Sequence, residues 1–311
     1  MKIITETERL YLREFIEEDG IHFFEMNNDP DVIKYIGDGP FESLKAATNF
    51  LKNYQDYKKN NMGRWAVCLK ETEEFLGWCG LKYHPEENMV EVGYRFYKKN
   101  WNKGYATESA KASIDYGFKE LNLKEIYAHA HIENFKSHKV IEKCGLNFIK
   151  QFNYDGIPAN LYKIDNPYLK IEKIPTADTY AIRHPVLREG RPIEDCVFEH
   201  DDDPDTFHLG LKIDDKLLGI VTYIKNDYPE LKGNQYQLRG MAVLISYQKK
   251  GFGNLLIDKG EEILKNKKAD LVWCNAREIA VKFYKKNCFE KIGKPFVIPK
   301  IGLHYVMYKS L

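Results

Sequence analysis

Two stretches decide the fold: Tyr94–Ala106, YRFYKKNWNKGYA, and Met241–Gly253, MAVLISYQKKGFG. Each begins as a β-rich run, passes through a short basic loop and reaches a glycine, Gly104 or Gly251, just before a helix-like segment. The two glycines are 147 residues apart in a chain of 311, close to half its length. Each copy is followed by a second matching block, NFKSHKVIEKCGLNF (Asn134–Phe148) in the first and REIAVKFYKKNCFEKIG (Arg277–Gly293) in the second. Order and spacing both repeat, so the chain reads as a tandem duplication of one fold.

Working outward, the boundary falls at Asp165-Asn166-Pro167, where Asn-Pro signals a turn between two strand-like runs, ANLYKI and LKIEKIP. The expected domains are 1–166 and 167–311. In the first, EDGIHFFEMNND and FESLKAATNFLKNYQDYKKN read as helices, followed by the strands RWAVCLKE, FLGWCGLKYH and MVEVGYRFY. A helix over Thr107–Leu121 follows, then the strand KEIYAHAHI, a helix over Phe135–Cys144 and two closing strands. The second half gives strands FHLGLKID, KLLGIVTYIK and QLRGMAVL, a helix over Asn254–Asn266, the strand ADLVWCN, a helix over Glu278–Lys286 and closing strands. This order implies α/β (α+β) domains, each a mixed, mostly antiparallel sheet flanked by helices.

Composition narrows the class. Lys+Arg is 47 against Asp+Glu 46, which argues against a nucleic-acid or membrane-surface protein. Hydrophobic residues are 43% and aromatics 14%, enough to build packed cores. No apolar run approaches the ~18 residues of a membrane span, and MKIITETERLYLREF has no apolar signal-peptide region. The six cysteines form no C-x-x-C pair and read as small buried hydrophobes in a reduced, cytosolic protein.

The glycine loops carry the chemistry. A glycine before a helix lets the backbone approach a ligand, and the helix N-terminus offers unpaired N–H groups to an anion. Neither loop is a P-loop or a G-x-G-x-x-G dinucleotide turn. Gln248–Gly253 matches the [QR]-x-x-G-x-[GA] pattern of the GNAT superfamily of acetyl-CoA-dependent N-acetyltransferases. The first half resembles the ribosomal-protein-alanine N-acetyltransferase subfamily in TERLYLREF, NNDPDVIKYIG, FLGWCGL, EVGYRF, NKGYATESAKASIDYGF and ENFKSHKVIEKCGL.

The resemblance implies acetyl-CoA as cosubstrate. It places the coenzyme pyrophosphate on the amides of Asn102, Lys103, Gly104, Tyr105, Ala106 and Thr107. In the second copy the same loop is Gln248, Lys249, Lys250, Gly251, Phe252, Gly253 and Asn254. The resemblance also implies that the strand before each loop splays from its neighbour and pairs with the pantetheine arm, which maps to Tyr94, Arg95 and Phe96, and to Met241, Ala242 and Val243. In the helical block the family often has Asn, then Ala or Ser, then Tyr. The first copy gives Asn134, Ser137 and Ile141, and the second Arg277, Ala280 and Tyr284. Asn134 is thereby a coenzyme contact, and Ser137 and Tyr284 are the implied proton donors.

A primary amine must lose a proton before it attacks a thioester. Glu91, between Val90 and Val92 on the strand lining the cleft, is the candidate base; an apolar setting would raise its pKa. No acid stands on the corresponding strand of the second copy, which has Gln237 and Arg239, so its base stays open among Glu199, His200 and water. His129 and His131 read as structural histidines rather than metal ligands, and Glu199–Asp205 as a solvated loop. The expected reaction is acetyl transfer from acetyl-CoA to a primary amine, either a protein N-terminus or a small amine, in a ternary complex. The competing reading is an acyl-CoA-binding regulatory module with one or both halves inactive.

Overall fold

The computed structural model describes residues 2–37, 39–299 and 301–311. The chain forms two compact units, one ending at Asn166 and the other running from Pro167 to Leu311.

In the first unit the strands are β1 (Ile3–Glu6), β2 (Leu10–Arg13), β3 (Arg64–Leu69), β4 (Phe75–His84), β5 (Met89–Phe96), β6 (Glu125–His131), β7 (Asn147–Tyr154) and β8 (Ile157–Asp165). Helices α1 (Gly20–Asn27), α2 (Pro30–Ile33), α3 (Leu44–Lys52) and α4 (Asp56–Asn60) lie between β2 and β3. Helix α5 (Tyr105–Lys119) joins β5 to β6, and α6 (Phe135–Lys143) joins β6 to β7. The sheet order is β1-β2-β3-β4-β5-β6-β8-β7. Every neighbouring pair is antiparallel except β5 with β6.

Two local features set the helices. Ser43 caps α3 by accepting the Ala46 N–H at 3.1 Å, and Asn134 caps α6 through the Ser137 N–H at 3.2 Å. The FESLKAATNFLKNYQDYKKN segment is two helices, because the chain turns at Asn53–Gln55 between α3 and α4. Helix α5 buries Ala110, Ile114 and Phe118 at helical spacing, together with Ser109 and Ser113. Those small residues let it lie close to the sheet, where Cys79 Sγ sits 3.5 Å from Ser113 Oγ. Full burial of Ile114 and Phe118 contributes about 1.5–3 kcal/mol each.

The second unit has β9 (Leu169–Ile174), β10 (Phe207–Ile213), β11 (Lys216–Ile224), β12 (Gln235–Val243), β13 (Leu271–Arg277), β14 (Glu290–Ile298) and β15 (Gly302–Ser310). Its helices are α7 (Thr176–Leu187), α8 (Phe252–Asn266) and α9 (Val281–Lys286). The order is β14-β15-β13-β12-β11-β10-β9, with β12 and β13 the parallel neighbours. Helix α7 was not expected from sequence. Its internal Pro185 and weak apolar periodicity hide it, and the buried Thr179, Ile182 and Arg183 hold it to the sheet.

Both central helices begin two residues earlier than the sequence suggests, at Tyr105 and Phe252, directly after glycines in left-handed geometry with φ of 84°. That conformation is strained for other residues and natural for glycine. Cys288 departs from the buried-cysteine expectation: it is exposed, with φ 66°, just past the end of α9.

Candidate functional site: two splayed strand pairs ending in glycine loops

The parallel strands of each unit pair for only part of their length. β5 and β6 meet at Glu91–Tyr127. Beyond that point neither Val92–Phe96 nor Ala128–His131 pairs with the other strand. β12 and β13 pair at Gln235–Gln237 with Leu271–Trp273 and then separate. In the second unit a bulge opposite Ile220–Thr222 and Gly240, at φ 60°, turn the strand out of register at that place.

In the first unit the opening is part of a cleft of about 2040 Å³. Glu91, Tyr94, Arg95, Phe96, Asn102, Gly104, Tyr105, Ala106, Thr107, Asn134 and Ser137 all line it. Lys103 is exposed beside it, with its carbonyl accepting from Arg9 Nη1 at 3.1 Å. The N–H groups of residues 102–107 have no acceptor among the described residues, and the first helical bond runs from Glu108 N–H to Gly104 O at 3.0 Å. This donor array at the positive end of a helix fits a pyrophosphate. A brace that the sequence did not reveal holds it. Glu108 accepts from the Thr7 hydroxyl at 2.6 Å and the Arg9 backbone N–H at 3.0 Å, while the Arg9 guanidinium lies 4.8 Å from the Tyr105 ring.

The second loop is built alike. Gln248 Nε2 donates to Val243 O at 3.0 Å, which ties the loop to the strand. Lys249 takes left-handed geometry at φ 63°, and the Lys250 ammonium lies 5.5 Å from the Tyr247 ring centre. The Phe252 side chain is buried, so only its N–H is on offer. A Cβ on Gly253 would come within 3.1 Å of Met241 and Phe283. Asn254 departs from expectation as a phosphate donor: its N–H is already bonded to Gly251 O at 3.1 Å, and its side-chain oxygen accepts from Asn287 at 3.2 Å.

Strand alternation gives each splayed strand pair two different sides. In the first unit Tyr94 turns toward α6, where its hydroxyl donates to Ser137 O at 3.1 Å. Phe96 is buried, and Asn134 spends its carbonyl on the α6 cap. Burial pushes the Tyr94 phenol above its ordinary pKa, so it stays protonated at neutral pH. On the other face Glu91 is buried and contacts three cations or imidazoles. Arg64 Nη2 is 2.8 Å from Oε2, His84 Nε2 is 3.0 Å from Oε2, and His129 Nδ1 is 3.4 Å from Oε1.

This overturns the expected raised pKa of Glu91. Burial alone would raise it, but Arg64, with His84 and His129, outweighs burial and holds the carboxyl down at about 2. The sheet around it is not apolar: Arg64 arrives from β3 and lies so close over Gly93 that a Cβ there would meet its guanidinium at 2.6 Å. His129 and His131 also part company. His129 packs on Tyr154, with ring centres 4.2 Å apart, and faces Glu91, while His131 stacks on Tyr35 and accepts the Glu133 N–H. Burial lowers the His129 pKa below its ordinary value, with Arg64, His84 and Lys82 acting the same way and Glu91 opposing. Trp78 also lines the cleft, between the guanidiniums of Arg64 and Arg95 at 5.4 and 5.2 Å.

In the second unit Tyr284 is buried, with its hydroxyl 3.9 Å from Met241 Sδ on the free part of β12. Burial, reinforced by Cys274, raises its pKa well above 10 and keeps the phenol protonated. Of the open candidates for a base, Glu199 is exposed and His200 pairs with Asp203 at 2.8 Å. The Glu199–Asp205 run is not wholly solvated, because Asp201 is buried and ion-paired with Arg183.

The family model described as acetyltransferase (GNAT) domain matches residues 9–147, and the one described as acetyltransferase (GNAT) family matches residues 169–288. The uncharacterized N-acetyltransferase YitI of Bacillus subtilis is 40% identical over 144 residues, 46% of this chain and 97% of that protein. Spermidine N(1)-acetyltransferase of Vibrio cholerae is 25% identical over 156 residues, 48% of this chain and 87% of that protein. A crystal structure of a GNAT-family acetyltransferase from Bacillus anthracis is 31% identical, with a TM-score of 0.47 over 53% of this chain and 99% of that one. The chain belongs to the GNAT family, holds two such domains in tandem, and is an N-acetyltransferase that moves the acetyl group of acetyl-CoA to an amine.

Proposed function

We propose that both units bind acetyl-CoA at their glycine loops, and that the first transfers acetyl to a primary amine with His129, oriented by Glu91, as the proton acceptor. The observation that carries this is the meeting of three features in one cleft: a stretch of β5 left unpaired on its β6 side, a free amide array before α5, and a buried carboxylate facing an imidazole. The amides of residues 102–107, and of Lys249, Gly251, Phe252 and Gly253, would hold the coenzyme phosphates. The free edges Tyr94–Phe96 and Met241–Val243 would pair with the pantetheine arm. When bound, the coenzyme supplies a thioester activated for attack by nitrogen.

A carboxyl held at about 2 is a poor proton acceptor at neutral pH. His129 is better placed. It is cleft-facing, beyond the last residue of β6 that pairs with β5, and with Nδ1 toward the carboxylate its Nε2 is left to accept. Glu91 then stabilises the imidazolium that forms. On the opposite wall the Tyr94 phenol, anchored on Ser137, and the Ser137 hydroxyl are the groups able to return a proton to sulfur. The acceptor is a protein N-terminus or a small amine in the cytosol. The similarity to a spermidine acetyltransferase supports the small amine.

The test is the pH profile of kcat/KM. As pH falls through the lowered His129 pKa, the imidazole takes up a proton and can no longer accept one. The acidic limb should therefore lie below about 6.5. Glu91→Gln removes the neighbour that raises this pKa, so the limb should move to still lower pH while maximal turnover drops. A limb that stays put, or moves upward, would refute the assignment.

For the second unit, Tyr284 is proposed as the group that protonates the leaving sulfur. Tyr284→Phe keeps the ring in its packed position and removes only the hydroxyl. Turnover by this unit, measured in the full chain with Gly104→Glu silencing the first loop, should fall about ten-fold or more. Coenzyme affinity should hold, and full retained activity would return Tyr284 to a packing role.

A further inference from the structure

We propose that the second unit selects an acceptor carrying a carboxylate, bound by Arg188, Arg239 and Arg277 on the α7 side of its cleft. The inference rests on the reading that this unit binds acetyl-CoA and transfers from it.

Three arginines from three separate elements converge there. Arg188 follows α7, Arg239 lies on β12 beside the bulge, and Arg277 ends β13 across the splay. Arg188 Nη1 and Arg277 Nη2 both donate to Leu187 O, at 3.0 and 3.4 Å. Arg188 and Arg239 share the Phe198 ring, with guanidinium carbons 5.2 and 4.6 Å from its centre. Each of the three is part-buried, and none has a carboxylate in ion-pair range among the described residues. The Arg239 guanidinium makes no hydrogen bond to any described residue.

The buried acid nearby is already committed. Asp201 pairs with both terminal nitrogens of Arg183 and accepts the Phe198 N–H at 2.9 Å. Burial lowers the pKa of all three arginines, and Arg277 adds repulsion at Arg188. Part-buried like charges without a counterion are costly, and an incoming anion removes that cost. Guanidinium forks suit a planar carboxylate, which they can hold by paired hydrogen bonds.

The coenzyme phosphates are a second source of negative charge, but they belong on the other wall. Leu238 and Met241 pack with the core beneath α8 and α9, whereas Ala242 packs with Ile182 of α7 and Arg239 with Phe198. The arginines thus face away from the wall that carries Met241 and Tyr284. At the corresponding face of the first unit Glu91 is ion-paired with Arg64 and flanked by His84 and His129. There the arginine already has its carboxylate, whereas the three arginines of the second unit have none among the described residues.

The test uses the full chain carrying Gly104→Glu, so that transfer reports on the second unit. Probes are the twenty common α-amino acids and their α-amides, with acetyl-CoA as donor. At least one amino acid should be acetylated with kcat/KM about ten-fold or more above its amide. Arg239→Gln should raise the KM for that amino acid by about ten-fold with a smaller change in kcat. Arg239→Lys, which keeps the charge, should recover part of the loss. Coenzyme binding without any preference for an amino acid over its amide would overturn the inference alone. So would Arg239→Gln and Arg277→Gln variants that weaken CoA instead of the acceptor, because the arginines would then hold coenzyme phosphates. A Gly104→Glu protein that binds no CoA would overturn the transferase reading of this unit as well.

Discussion

Gly251→Glu should cut coenzyme binding from two CoA per chain to one. The glycine sits at φ 84° immediately before α8, where a side chain is strained and where the first amides of the helix point outward. A glutamate there brings a negative charge to the site meant for the pyrophosphate. It also displaces the backbone that aligns the donors. Hydrogen bonds to charged groups contribute about 1.5–3 kcal/mol each, so losing two weakens the site about 10²-fold or more. Calorimetry with CoA reads the result directly. Two equivalents in the variant would mean that the second loop does not hold the coenzyme. One equivalent in the unmodified chain that survives Gly251→Glu would mean that only the first loop does.

His129→Asn should lower the first unit's turnover by about 10²–10⁴-fold, the range a positioned acid or base contributes. The imidazole packs against Tyr154 and stands 3.4 Å from Glu91, with about a fifth of the side chain exposed to the cleft. Asparagine keeps polarity and approximate size at the ring's root but cannot take up a proton near neutral pH. The loop proposed to hold the coenzyme is residues 102–107, so CoA affinity should change less than two-fold. That separation distinguishes a chemical role from loss of fold. Unchanged turnover across the pH range would move the proton acceptor to His84 or to water.

The glycine loops were readable in the sequence because their requirement is local. Gly104 and Gly251 take left-handed geometry that other residues resist, and each stands directly before its helix, so a short pattern carries the whole feature. The same holds for the Asn134 cap and for the apolar stripe of α5. Helix α7 was not readable, since its proline and mixed pattern look like a loop until the sheet it covers is present.

The acceptor side was not readable, for a physical reason. A pKa depends on the charges within a few ångströms, and those come from distant positions. Glu91 is held low by Arg64, 27 residues earlier, and by His84 and His129 on two different strands. Read alone between Val90 and Val92, it suggests the opposite shift. Asp201 looked solvated within its acidic run until Arg183 buried it. Arg188, Arg239 and Arg277 are unremarkable in sequence and converge only through the β12 bulge and the path of the chain after α7. The sequence by itself determined the duplication, the order of strands and helices apart from α7, and the two glycine loops, because those follow from periodicity and local backbone demands. Tertiary structure decided which charges meet across each cleft, because sheet register and strand splay bring together side chains that no local pattern links.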